Sequence, residues 1–108
     1  MATSLRGTPA SPGRATGRAR IVRSTAEFDR VQAGEILVCP VTTPAWTPLF
    51  ARIAAVVTDV GSIAAHASII AREYGIPAVV ATGDGTTRIA DGSLITVDGG
   101  AGLVLRAD

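Results

Sequence analysis

Apolar positions along the 108 residues fall into short runs separated by turn-forming clusters, a pattern of brief strands rather than long amphipathic helices. The stretch 16–22, TGRARIV, alternates Arg18 and Arg20 with Ala19 and Ile21, the period of a half-exposed strand. STAEFDRV then predicts a short helix, with Ser24 or Thr25 as N-cap and Glu27 in the first turn. GEILVCP reads as a buried strand closed by Pro40. In TTPAWTPLFARI two prolines precede an apolar run, which predicts a loop and then a short helix after Pro48. AAVVT, 54–58, is the next buried strand. A loop at 59–62 leads into a helix expected from Ile63 to Tyr74, with Gly75 as its stop. IPAVVA, 76–81, is another strand, and TGDGTTRIADGS is a turn-rich connection with two Asp-Gly pairs. SLITVDGGAGLVL closes the chain as two short strands joined by a glycine-rich turn. Residues 1–13, rich in Ser, Thr, Pro and Gly, are expected to form an irregular lead-in, and 14–108 a β-rich α/β domain with one main helix.

Composition narrows this picture. The hydrophobic fraction of 47% rests on Ala, Val, Ile and Leu, which suits a close-packed aliphatic interior. The length allows one core but not two. Ten arginines face nine acidic residues, and there is no lysine. The arginines are scattered, with a loose cluster at Arg14, Arg18, Arg20 and Arg23, and lack the dense, aromatic-interleaved stripe that nucleic acid requires. The one cysteine, Cys39, cannot close an internal disulfide, which fits a reducing compartment. No apolar run approaches the ~20 residues that cross a bilayer, and the first residues lack a signal core. A cytoplasmic domain is the expectation, with no membrane or nucleic-acid partner, either as a small protein or as a piece of a longer chain.

One histidine, His66, follows the Gly-Ser loop where the main helix is expected to begin. With Ser62 as cap, His66 would sit at the end of the first helical turn. Helix starts expose unpaired N–H groups and partial positive charge, so they favour anions and phosphate above all. Ala64, Ala65 and Ala67 add no bulk there. An imidazole with an unperturbed pKa of ~6.5 is mostly unprotonated near neutral pH, hence nucleophilic. The combination suits a histidine that accepts a phosphoryl group. A half-exposed polar side chain without function is the plain alternative. One His and one Cys give no metal-ligand cluster, so no metal is expected. A Cys39–His66 nucleophilic pair, and with it an independent hydrolase, is weakened by the buried-strand setting of Cys39. Ser62 or Ser68 with Asp59 and His66 lie too close in sequence for a hydrolase triad, and no G-x-S-x-G elbow is present.

The run Gly61-Ser62-Ile63-Ala64-Ala65-His66, followed by ASIIAREYGIPAVV, resembles the mobile phosphohistidine domain of the phosphoenolpyruvate-utilising enzymes. These include phosphoenolpyruvate synthase, pyruvate phosphate dikinase, the first enzyme of the sugar phosphotransferase system and rifampin phosphotransferase. The likeness extends through SPGRATGRARIV, GEILVCPVTTPAWTPLF and AAVVTDVG upstream and DGSLITVDGGAGLVL downstream.

The resemblance implies the swivelling β/β/α fold, with His66 as phosphoryl acceptor on a domain that swings between two sites. Gly61, Ser62, Ala65 and Ala67 would then line the phosphate-binding loop and helix start. Thr42, Thr43, Trp46, Asp59, Ser68, Arg72 and Glu73 would support or dock, with Arg72 and Glu73 more suited to anchoring than to chemistry and Asp59 a candidate to orient the imidazole. The chain departs from the family pattern at Ser62, where a second glycine is usual, and at Thr43, where aspartate is. Ala64 and Ala65 replace hydroxyl or thiol residues before the histidine. The resemblance also implies an ATP-grasp nucleotide-binding partner and an acceptor-substrate domain. No cofactor is expected on this domain alone, since it has neither a G-x-x-x-x-G-K-[ST] loop nor an acidic cluster, so ATP and Mg²⁺ belong to the partner. The acceptor would be pyruvate or a hydroxyl compound. The alternative reading is an interaction or scaffold domain that keeps the fold without transferring phosphate.

Overall fold

The computed structural model describes residues 4–107. Within them the chain runs β1 (Ser4–Arg6), β2 (Thr8–Ser11), β3 (Arg14–Ile21), a 3-10 segment (Thr25–Arg30), β4 (Ile36–Cys39), a second 3-10 segment (Pro44–Ala51) and β5 (Ala55–Thr58). It continues as α1 (His66–Tyr74), β6 (Ala78–Val80), the single turn α2 (Gly85–Arg88), β7 (Leu94–Asp98) and β8 (Leu103–Arg106). The strands form one mixed sheet in the order β1-β8-β7-β3-β4-β5-β6-β2. Strands β3, β4, β5 and β6 are mutually parallel, and the remaining pairs are antiparallel.

The two outer strands, β1 and β2, are consecutive in sequence with only Gly7 between them, so the sheet curls back on itself. This accounts for the uninterrupted burial of β4 and β5. Successive side chains on a strand point to opposite faces. Ile36, Val38, Ala55 and Val57 therefore fill the inside of the curl with Leu5, Val79, Ile95, Val97 and Val104. Leu37, Cys39 and Val56 face outward and pack beneath Trp46, Leu49 and Phe50 of the second 3-10 segment and Ala67 and Ala71 of α1. Both faces of the parallel strands are covered, as parallel sheets require. On the solvent side of β3, Arg20 grips Glu35 through two nitrogens, at 3.1 and 2.7 Å, and reaches Asp91 with a third at 3.1 Å. That double hydrogen bond, against the cost of burial, holds the Glu35 carboxyl below the ordinary glutamate range.

The structure corrects several sequence expectations. Residues 4–11 of the lead-in are not irregular but form β1 and β2, because pairing with β8 and β6 closes the curl; residues 1–3 lie outside the described residues. The first short helix is 3-10, and Ser24 occupies the cap position without a side-chain bond. Glu27 instead accepts the Arg23 N–H at 2.7 Å. The second helical segment starts at Pro44 rather than after Pro48, since proline's fixed φ suits a first helical position. The main helix begins at His66, not Ile63, because Ala65 is extended (φ −71°, ψ 158°). Its end is as expected, with Gly75 left-handed at φ 70° and the Ile76 N–H closing onto the Ala71 carbonyl at 3.0 Å. The two closing strands, β7 and β8, also pair as expected.

Closure leaves no room at Gly7. A Cβ there would stand 2.5 Å from the Val80 carbonyl oxygen and 2.7 Å from Val79 Cγ1. At Gly75 a Cβ would meet nothing within 4 Å, so only the backbone conformation resists substitution. Gly75→Ala is expected to cost about 1 kcal/mol. Gly7→Ala should cost more, about 2–3 kcal/mol, through backbone displacement. Denaturant midpoints of the two variants measure the difference, and equal losses would contradict closure through Gly7.

Candidate functional site

The parallel strands β4 and β5 each feed a helical segment packed on the outer face of the sheet, and His66 lies where these two connections meet. It is the first residue of α1 and is half-buried. Thr42, on the loop leaving β4, is buried, and its Oγ1 lies 2.8 Å from His66 Nδ1. Thr47, on the following 3-10 segment, has Oγ1 3.2 Å from His66 Nε2. Phe50 of that segment presents its ring edge-on to the imidazole, centroids 6.2 Å apart and planes at 86°. The ring is thus held at both nitrogens and flanked by an apolar wall.

The loop before His66 is pinned to the helix it precedes. Gly61 has φ 143°, a conformation side chains disfavour. The Ser62 carbonyl accepts the Ser68 hydroxyl at 2.6 Å and the Ala65 N–H at 3.0 Å, while Ser62 Oγ accepts the Ala64 N–H at 3.2 Å. Arg72 donates to the Ile63 carbonyl at 2.8 Å and to the Ala10 carbonyl of β2 at 2.9 Å. These bonds replace a helix cap: Ser62 shapes a turn ahead of α1 instead of capping it. The first-turn N–H groups of His66, Ala67 and Ser68 have no acceptor within the helix, beside the imidazole.

Of the residues singled out from sequence, Thr42 alone bonds the imidazole. Gly61, Ser62, Ala65, Ser68 and Arg72 build or fix the loop. Ala67 turns its side chain into the outer core, so only its backbone belongs to the helix start. Asp59 does not orient the ring. Its two oxygens accept the N–H and hydroxyl of Thr86, at 2.9 and 2.7 Å, and so tie the loop after β5 to α2. Thr43 is exposed and takes the Trp46 N–H on its carbonyl, and buried Trp46 packs edge-on against Phe28 at 5.0 Å. Glu73 is exposed on the far turns of α1.

Thr47 was missed because the helical segment was expected only after Pro48, and Phe50, inside that expected segment, was read only as part of its apolar run. Reading Pro44 as a first helical position would have placed Thr47 one 3-10 turn further on, within reach of the same end of the sheet. The Cys39–His66 pair is also corrected. Cys39 is fully buried in β4, and burial first, then the Asp59 carboxylate, pushes its thiol pKa well up. A thiol so held is no nucleophile.

A small β-rich α/β domain that offers its one imidazole at the open end of its main helix belongs to a narrow class. The family is given by direct comparison: the chain belongs to the mobile-domain family of phosphoenolpyruvate-utilising enzymes, whose model matches residues 31–102. It is 52% identical over 98 residues to the uncharacterized phosphotransferase YvkC of Bacillus subtilis, covering 91% of this chain and 12% of that protein. It is 48% identical over 101 residues to the phosphoenolpyruvate synthase of Aeropyrum pernix, covering 93% of this chain and 12% of that one. Among solved structures, Enzyme I in solution superimposes with a TM-score of 0.63 at 31% identity, over 73% of this chain and 33% of that one. The chain thus spans about an eighth of the length of these curated relatives.

With Cys39 enclosed on both sides of the sheet, a disulfide thiol reagent at pH 8 should leave the native protein unmodified and react only as denaturant unfolds it. Reaction of the folded protein at the rate of a free thiol would contradict the placement of Cys39.

Proposed function

We propose that this chain is a phosphoryl carrier in which His66 Nε2 takes a phosphoryl group from one partner site and gives it up at another. The observation that carries the reading is the unequal hold on the two ring nitrogens. Nδ1 is bonded at 2.8 Å to a buried threonine, whereas Nε2 has only a longer contact, 3.2 Å, to a half-buried one. A neutral imidazole carries one N–H and one lone pair. If Nδ1 keeps the proton and donates it to Thr42, Nε2 is left with its lone pair, facing only the longer contact to Thr47. Attack on phosphorus then forms the N–P bond as the donor's P–O bond breaks, and no proton need leave the ring. The Thr42 hydroxyl oxygen supports the positive charge that develops on the ring, and the first-turn N–H groups of α1 favour the phosphoryl oxygens.

The donor on this reading is ATP with Mg²⁺, held by an ATP-grasp domain or subunit, and the acceptor is pyruvate or a hydroxyl compound at a second site. The relatives' greater length supports such partners. So does the exposure of Val41, Val60, Ile63 and Ile69 on the segments around His66, an apolar rim suited to transient docking. Asp59 is spent on Thr86, and among the described residues no group of three or more His, Cys, Asp or Glu could hold a metal ion, which suits a metal brought by the nucleotide. A cytoplasmic setting, where ATP is plentiful and a lone thiol stays reduced, fits this reading.

Incubation with ATP, Mg²⁺ and an ATP-grasp partner active on a related mobile domain should add one phosphoryl group by intact mass, stable in base, lost in acid and absent from His66→Ala. An unlabelled wild-type protein would overturn the carrier reading and favour the scaffold.

A further inference from the structure

We infer that Thr47 is a catalytic residue of this site, the hydroxyl that passes from the ring nitrogen to the phosphoryl group as the N–P bond forms. The inference rests on the carrier reading and identifies a group that reading does not need. Thr47 is the one side chain that approaches Nε2 among the described residues, at 3.2 Å, a distance at the long end for a hydrogen bond. Its position is set rigidly. The 3-10 segment that carries it begins at Pro44, continues through Pro48, and is anchored by the buried side chains of Trp46, Leu49 and Phe50 on either side.

In the resting state the Thr47 O–H is positioned to donate to the Nε2 lone pair. That lone pair is consumed when the N–P bond forms, so the hydroxyl loses its acceptor at the moment a phosphoryl oxygen arrives beside it. A bond to an anionic oxygen is shorter and stronger than one to a neutral nitrogen. The exchange therefore favours the transition state over the resting state, the condition for a rate effect. The Thr47 proton stays on Thr47; the only bonds made and broken are N–P and the bond from phosphorus to the leaving group. Among the described residues no other side-chain hydroxyl bonds Nε2, and that of Thr42 lies at Nδ1. Ser68 donates its hydroxyl to the Ser62 carbonyl, Ser62 Oγ accepts the Ala64 N–H in the loop turn, and positions 64 and 65 are alanine.

The test uses a phosphoryl donor that needs no partner. Potassium phosphoramidate transfers its phosphoryl group to imidazole with release of ammonia, and phosphorus NMR follows N-phosphorylation of the whole chain directly. Wild type, Thr47→Val, Thr47→Ser and His66→Ala are compared. Val keeps the shape and loses the hydroxyl; Ser keeps the hydroxyl. Labelling of wild type at His66, a rate lowered about tenfold or more in Thr47→Val, and recovery to within about threefold in Thr47→Ser are the expected results. Equal rates in wild type and Thr47→Val, or a slow Thr47→Ser with folding intact by circular dichroism, would overturn the role of Thr47 while leaving the carrier reading standing. Failure of wild type to label at His66 would overturn both.

Discussion

A neutral imidazole has one proton for two nitrogens, and at His66 the shorter of the two threonine contacts, 2.8 Å to Thr42 Oγ1, is made by Nδ1. The ring cannot turn without giving up that bond, and the edge of Phe50 closes one side against reorientation. Breaking it would leave the hydroxyl of a buried threonine without this partner, a cost of about 1–3 kcal/mol. On the carrier reading proposed above, nucleophilicity at Nε2 is in this sense a property of the other side of the ring.

The fold supplies that bond through packing. Thr42 and His66 lie 24 residues apart and leave adjacent parallel strands, β4 and β5, in matched register (Cys39 opposite Thr58). The strands hold their spacing because both faces are buried, one inside the curled sheet and the other beneath α1 and the second 3-10 segment. The curl is closed by the continuous segment β1–Gly7–β2, which pairs with β8 on one side and β6 on the other, and Arg72 ties it to the loop before His66 through Ala10 and Ile63. The chain is therefore a closely packed block carrying its one imidazole, which on the carrier reading suits a domain that moves as a unit between sites.

The strands and the main helix were legible in the sequence because burial periodicity is local. Ile36 to Cys39 and Ala55 to Thr58 read as buried strands, and Gly75 announced the helix end. What the chain alone did not give was whatever depends on distant closure. Residues 4–11 look irregular until β6 and β8 are present to pair with them. At the site, His66 stood out as the lone imidazole beside a Gly-Ser loop. The family pattern drew attention to Thr42 without assigning it to a ring nitrogen, and the same pattern offered Asp59 as a candidate to orient the ring. Its oxygens go instead to Thr86, 27 residues away. Thr47 was hidden by the misplaced start of its 3-10 segment, which left in a loop a residue that lies one turn into the segment.

Nitrogen-15 NMR of the His66 ring in the unphosphorylated protein, at a pH where the imidazole is neutral, measures the tautomer directly through the shifts and two-bond couplings of Nδ1 and Nε2. The account predicts a protonated Nδ1 and a bare Nε2 in wild type, with that preference weakened in Thr42→Val. A dominant Nε2–H tautomer in wild type would contradict it, since that nitrogen would then have no lone pair to offer.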